Sequence, residues 1–357
     1  MRIVQLIDSL SAGGAERMAV NYANALASEI AFSGLVATRR EGVLKTDIAP
    51  DVNYFFLGKR RSIDFKSMRR FRSYCRQHQV GLIHAHGSSF FTAILLKMML
   101  PRVGVVWHDH NGDRDNQSKW QNKILWLCSH FFDGIIVVNQ RLLEWSRINL
   151  PVRKIVYLPN FTVTDTTPGT TLLHGTTGKR IVYLANLRHP KNHEMLLEVA
   201  LQIKQTHPTW SFHLVGADKN DGYAKQLKAY IQAHDLQETV YLYGLRTDTG
   251  HIIGQAEIAV IASSYEGLPV SLLEYGLYAK AVVVTSVGEI PNVVHDQKNG
   301  LMVPSGNTTA FLDGLVRLID NPILRQTYGA ALKHTIDAEY AEEVVLSQYL
   351  QWMKQIC

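Results

Sequence analysis

Two hydrophobic periodicities alternate along the chain. Short, almost continuous runs rich in Val, Ile and Leu fall at 3–7, 35–38, 54–57, 82–85, 103–108, 134–138 and 154–158. They recur at 180–184, 211–215, 240–243, 258–262, 281–285 and 300–303. Their length and lack of polar alternation are those of strands buried on both faces. Between them lie longer stretches whose apolar residues return every three or four positions, as in helices with one buried stripe. The alternation predicts an α/β fold of parallel sheets with helices on both faces. It is interrupted at 162–178, where Thr and Gly crowd together and apolar residues thin out, which reads as a flexible connector or exposed loop. We therefore expect two doubly wound domains facing across a cleft, residues 1–160 and 161–340, with an amphipathic helix in 341–357 built on Val345, Tyr349, Leu350, Trp352 and Met353.

Composition agrees with this division. At 357 residues the chain is long for one core and comfortable for two at ~150 residues each. Cys75, Cys128 and Cys357 are too far apart to suggest a disulfide framework or a zinc cluster, which fits a reduced, cytoplasmic setting. The N-terminus runs straight into a strand with no leader pattern. Residues 90–107 are apolar, but Lys97 and Pro101-Arg102 leave too short a run to span a bilayer.

Charge separates the halves. Residues 1–160 hold 22 Lys and Arg against 12 Asp and Glu, whereas 161–357 hold 15 against 19. Much of the excess lies in Lys59, Arg60, Arg61, Lys66, Arg69, Arg70, Arg72 and Arg76. This segment is either a solvated helix face or a surface attracted to anionic membrane, which would place the protein at the inner face of the plasma membrane, or to a phosphate-bearing acceptor. No nucleic-acid recognition motif accompanies it.

The densest chemistry runs from Ala262 to Glu274. The apolar run 256–262 reads as a buried strand, and Pro269 suits the first position of the following helix. Glu266 then lies in the loop at the strand's carboxyl end, and Glu274, after seven intervening residues, lies more than a turn into the helix. Free N–H groups of the first helical turn and the helix dipole favour a diphosphate there. Carboxylates on both sides of it can accept hydrogen bonds from hydroxyls, which is the shape of a nucleotide sugar.

Glu266, the Gly267-Leu268-Pro269 turn and Glu274 resemble the acid, seven residues, acid signature of the family 4 retaining glycosyltransferases. Gly13-Gly14-Ala-Glu16-Arg, Asn186-Leu-Arg188-His-Pro-Lys191, Val287-Gly-Glu-Ile-Pro-Asn292 and Asn299-Gly-Leu-Met-Val-Pro304 agree with that family in order and spacing. The resemblance implies the GT-B architecture of two Rossmann-like domains, with the C-terminal helix crossing back to the first. It implies a glycosyltransferase of polysaccharide or cell-envelope assembly that moves a sugar from a nucleotide-diphosphate donor, UDP favoured and GDP possible, to a hydroxyl of a glycan or lipid-linked acceptor. No cofactor or metal is expected.

In this reading Lys191 and Arg188 clamp the diphosphate, Glu274 accepts from the ribose, and Glu266 with Gly267, Leu268 and Val270 orients the donor sugar. Gly13 and Gly14 let phosphate approach backbone, and the segment from Tyr243 to Arg246 lies against the base. A histidine after the 103–108 strand stands beside the anomeric carbon, with His108 and His110 both open, and His86 lies on the acceptor side. Departures are Asn186, where an arginine is usual, and Ala279 and Ala281, where glycine and proline are usual.

Four histidines, in His84-Ala-His86 and His108-Asp-His110, invite a metal reading. Their i, i+2 spacing is taken to scatter them over opposite strand faces, so no metal set is expected. Asp113-Arg-Asp115 has the form of a metal-binding pair but is expected to be a polar loop. A sugar-nucleotide epimerase or a non-catalytic partner subunit could share the architecture.

Overall fold

The computed structural model describes residues 1–110, 114, 118–165 and 168–356. It divides into two compact units, one formed by Met1–Phe161 with the C-terminal residues from Glu342 onward, the other by Thr162–Ala341.

The first unit is built on β1 (Arg2–Ser9), β2 (Phe32–Arg40), β3 (Asn53–Phe56), β4 (Leu82–His86), β5 (Gly104–Asp109), β6 (Gly134–Val137) and β7 (Ile155–Tyr157). All pair in parallel, in the order β3-β2-β1-β4-β5-β6-β7. Its helices are α1 (Gly14–Ala27), α2 (Phe65–Gln77), α3 (Phe90–Met99), α4 (Lys119–Ser129), α5 (Gln140–Asn149) and the C-terminal helix Glu342–Met353.

Register explains why the two faces of this sheet differ. Neighbouring residues in a parallel ladder share a face, and residues two apart on one strand return to it. Val4, Leu6, Ile83, Ala85, Val105 and Trp107 therefore form an apolar face, and they join one core with Phe71 and Phe132. On the other face Gln5 pairs with His84, His84 with Val106, and His86 with His108. That face is covered by Tyr22 of α1 and Tyr349 of the C-terminal helix, both fully buried.

The basic segment is only partly a solvated face. Lys59 is 4% exposed and its ammonium donates to Thr92 Oγ1 at 2.5 Å. Arg70 donates to the carbonyls of Leu57 and Phe56, and Arg72 to that of Met99. These cations close loop and helix ends, while Arg60, Arg61, Lys66, Arg69, Arg70 and Arg76 are exposed.

The second unit holds β8 (Arg180–Leu184), β9 (Ser211–Val215), β10 (Val240–Gly244), β11 (Ile258–Ile261), β12 (Ala281–Thr285) and β13 (Leu301–Val303), parallel in the order β10-β9-β8-β11-β12-β13. Around it lie α6 (His193–Thr206), α7 (Gly222–Ala233), α8 (Thr249–Gly254), α9 (Val270–Leu277), α10 (Ile290–Val293), α11 (Thr308–Asp320) and α12 (Pro322–Glu339); the C-terminal helix is α13. Tyr183, Phe212, Tyr275 and Phe311 anchor its core.

The stretch expected to be a flexible connector or exposed loop is mostly exposed, and it is pinned in its described part. Asp248 accepts from the backbone N–H of Thr170 and Thr171 at 2.8 and 2.7 Å, and Tyr243 Oη accepts from His174 N at 2.9 Å. Long-range carboxylate and hydroxyl acceptors supply the order that local composition does not.

Candidate active site

Strand order reverses between β1 and β4 in the first unit and between β8 and β11 in the second. Ligands of open parallel sheets bind at such switch points, beyond the strands' carboxyl ends. The expected site residues fall beside both.

In the second unit, Lys191 closes a short turn after β8, and Glu266 lies in the loop after β11. Their side chains, 15% and 10% exposed, form an ion pair. Ser263 Oγ donates to the same Glu266 oxygen at 2.6 Å. Tyr183 Oη donates to the Lys191 carbonyl at 2.7 Å and lies 3.1 Å from Ser263 Oγ. The Ser264 N–H donates to the Pro190 carbonyl at 2.9 Å, so the two loops are latched together through backbone as well as charge.

The loop after β12 supports Glu266 from another side. Glu289 N donates to the Gly267 carbonyl at 2.9 Å. Gly288 has φ +55°, and a Cβ there would run into the carbonyls of Glu266 and Gly267. Only glycine allows both that conformation and that approach.

Helix α9 begins at Val270, one residue later than expected, because Pro269 takes the extended N-cap conformation, ψ 123°. Glu274 lies half-buried on its second turn, and Leu268 is buried beneath the loop. At the far end Ala279 adopts φ +51°, the left-handed conformation that favours glycine, at a cost of about 1 kcal/mol. Arg188 is exposed, while Asn186 accepts from Ala217 N at 2.7 Å and ties the β8 loop to the β9 loop. Tyr243 Oη is committed to His174 N and to His213 Nδ1, 2.9 Å away, so only its backbone and ring edge remain for a base.

Near the first switch point, Gly13 is the N-cap of α1, and a Cβ there would collide with the Glu16 carboxylate. Glu16 in turn accepts from Ser9 Oγ at 3.1 Å. The acid thus folds back toward the helix end where a phosphate was expected beside Gly13 and Gly14.

The histidines are not scattered. Positions two apart on a strand share a face, so the expectation drawn from their spacing is corrected: all four imidazoles gather on the sheet face under Tyr22 and Tyr349. His84 lies 3.1 Å from both Tyr349 Oη and His108 Nδ1, and His86 lies 2.8 Å from both His110 Nε2 and Gln5 Oε1. His108 and His110 stack with centroids 3.9 Å apart. Burial holds His84, His86 and His108 well below the usual imidazole range and pushes His110 down to about 4.

Asp109 is fully buried and bidentate with Arg114 at 2.6 and 2.8 Å, so it is a structural partner of this loop. His84, His86 and His108 offer ligand atoms within 4.8 Å of one another, the composition of a zinc site. Both ring nitrogens of His84 and of His86 lie at hydrogen-bonding distance from a partner, whereas His108 Nδ1 faces His84 and its buried Nε2 has no partner among the described residues. Asp113 and Asp115 lie outside the described residues. His86 is buried with both ring nitrogens engaged, one by Gln5 and the other by His110, which is half-buried.

Two parallel doubly wound sheets, each with expected site residues beside its switch point, are those of the GT-B fold. The description "Glycosyltransferase Family 4" matches residues 12–166 and "Glycosyl transferases group 1" matches 171–335; between them they take in most of the chain, which belongs to the family 4 glycosyltransferases. The poly(ribitol-phosphate) alpha-N-acetylglucosaminyltransferase of Staphylococcus aureus is 24% identical over 257 residues, 70% of this chain and 50% of that protein. The match thus spans about half the length of that relative. In fold, the chain resembles sucrose-phosphate synthase from Thermosynechococcus elongatus (TM-score 0.79, 16% identity, 100% and 99% of the two chains). It also resembles Anabaena HepE in complex with UDP-glucose (TM-score 0.81, 15% identity, 99% and 100%).

Proposed function

We propose that this glycosyltransferase moves a hexosyl group, with retention at the anomeric carbon, from a UDP-sugar to a hydroxyl of a glycan or lipid-linked acceptor in polysaccharide or cell-envelope assembly. The observation that carries the reading is the Lys191–Glu266 pair beside α9, latched by Ser263 and Tyr183 at the β8/β11 switch point. The charges of the pair cancel. A diphosphate draws Lys191 toward itself, and the released Glu266 carboxylate accepts from the donor sugar. Arg188, Lys191 and the N-terminus of α9 then meet the charge that grows on the leaving phosphate. That phosphate helps remove the acceptor proton on the same face, and His110 stands on the acceptor side. The binding of UDP-glucose by HepE and the N-acetylglucosaminyl transfer of the Staphylococcus aureus relative support a UDP-sugar over a GDP-sugar.

The ribose assignment is tested by calorimetry with UDP and GDP. Glu274→Ala leaves ribose hydroxyls unpaired and is expected to weaken UDP by about 1–3 kcal/mol. Unchanged affinity would remove Glu274 from the donor site.

Turnover is expected to persist in EDTA, because the charge is met by side chains and a helix end, and NMR of the first-formed product is expected to show the donor's anomeric configuration. Activity lost in chelator and restored by manganese would make the reaction metal-dependent.

A further inference from the structure

We propose that α4 and the turn after it form a surface that enters the headgroup region of an anionic phospholipid bilayer. This deepens the lipid-linked acceptor reading above and rests on it, while the observations that carry it come from a different part of the fold. Exposed large apolar side chains elsewhere among the described residues are mostly scattered, yet Trp120, Trp126, Leu127 and Phe131 are 67, 45, 52 and 47% exposed within one short stretch.

Their spacing is helical. Trp120, Leu127 and Phe131, with half-buried Ile124 between them, follow steps of three and four and line one stripe; Leu125, Cys128 and Phe132 fill the opposite, buried side. The backbone keeps the stripe continuous past the helix end, where Phe131 N donates to the Cys128 carbonyl at 3.0 Å. The inner face therefore fixes the helix on the unit's core and leaves the outer face without apolar cover among the described residues.

The chemistry of that face selects its occupant. Indole rings, apolar with one N–H donor, settle where hydrocarbon meets headgroups. Residues 119–132 contain Lys119 and Lys123 and no acid, and they belong to the half of the chain with the positive excess, which complements anionic lipid. The segment from Lys59 to Arg76, the other basic candidate, spends Lys59, Arg70 and Arg72 on internal carbonyls and hydroxyls and exposes two large apolar side chains, Ile63 and Phe65, against four here.

Vesicles of phosphatidylcholine with about one third phosphatidylglycerol, at physiological salt, test the assignment by sedimentation and by tryptophan quenching from brominated lipid. Wild type is expected to bind and to be quenched. The triple variant Trp120→Ser, Leu127→Ser, Phe131→Ser is expected to bind at least tenfold more weakly, and Arg69→Glu with Arg76→Glu less than threefold. UDP affinity measured on the same samples reports the donor site, so failure of the glycosyltransfer reading appears as absent nucleotide binding whatever the vesicles do. The proposal is overturned if wild type does not sediment with vesicles, if the triple variant with intact UDP affinity binds like wild type, or if the face instead drives concentration-dependent self-association that the triple variant abolishes.

Discussion

Lys191→Met is expected to lower kcat by about two to three orders of magnitude, the usual cost of removing one preorganised charge that meets the developing negative charge of a transition state. The same change leaves Glu266 poorly solvated without its cation, and a loss of roughly 2–3 kcal/mol in folding stability should accompany it, somewhat less than for a fully buried pair. The two effects are separable. Adding Glu266→Gln removes the orphan charge, so the double variant should recover most of the stability in urea unfolding while staying inactive. A Lys191→Met protein with wild-type kcat would mean that the diphosphate is held elsewhere, and Arg188 would become the first candidate.

Acid should loosen the first unit before the second. His84, His86, His108 and His110 are all held neutral by burial, with His110 at about 4, against 6.5 for an ordinary imidazole. A folded-state value below the unfolded one means that the unfolded chain takes up protons first, so the stability present above pH 6.5 is lost as pH falls below it. Each such group removes about 1.4 kcal/mol per pH unit, so the four together remove about 5–6, comparable to the whole stability of a small domain within one to two units. The second unit carries two comparable histidines, His193 at about 4 and His213 at about 3, and should lose about half as much per unit. Trp107, Trp120, Trp126, Trp145 and Trp352 lie in the first unit and Trp210 in the second, so fluorescence-detected urea melts between pH 7 and 5 follow mainly the first. His84→Asn with His108→Asn should flatten the slope by about half; an unchanged slope would place the acid sensitivity outside this cluster.

The strands were legible because parallel strands covered on both faces write themselves as unbroken apolar runs. Each predicted run coincides with a strand, and 180–184, 211–215 and 281–285 agree at both ends. Glu266 and Lys191 were legible from their place after strands. Tyr183 and Ser263, which fix that pair, carried no local signal: Tyr183 looks like one more core residue of an apolar run, and its role follows from β8 lying beside β11 in the sheet. Gln5, Tyr22 and Tyr349 escaped for the same reason, since what brings them to the histidines is register between distant segments. The histidine face itself could have been read, because the period of a strand is two. For the basic segment, a count of charges does not reveal which guanidinium groups end on carbonyls, as those of Arg70 and Arg72 do.

Tyr349 has a consequence for how the chain is made. It caps His84 from a helix that follows all of the second unit, so the first unit's sheet is synthesised early yet receives part of its cover last. Residues 162–341, by contrast, emerge as one uninterrupted stretch with every strand of their own sheet. On the ribosome the usual order, amino-terminal domain first, is therefore reversed for completion. The second unit can close while Tyr22 and four imidazoles still wait, wet and unpacked, for α13 to emerge.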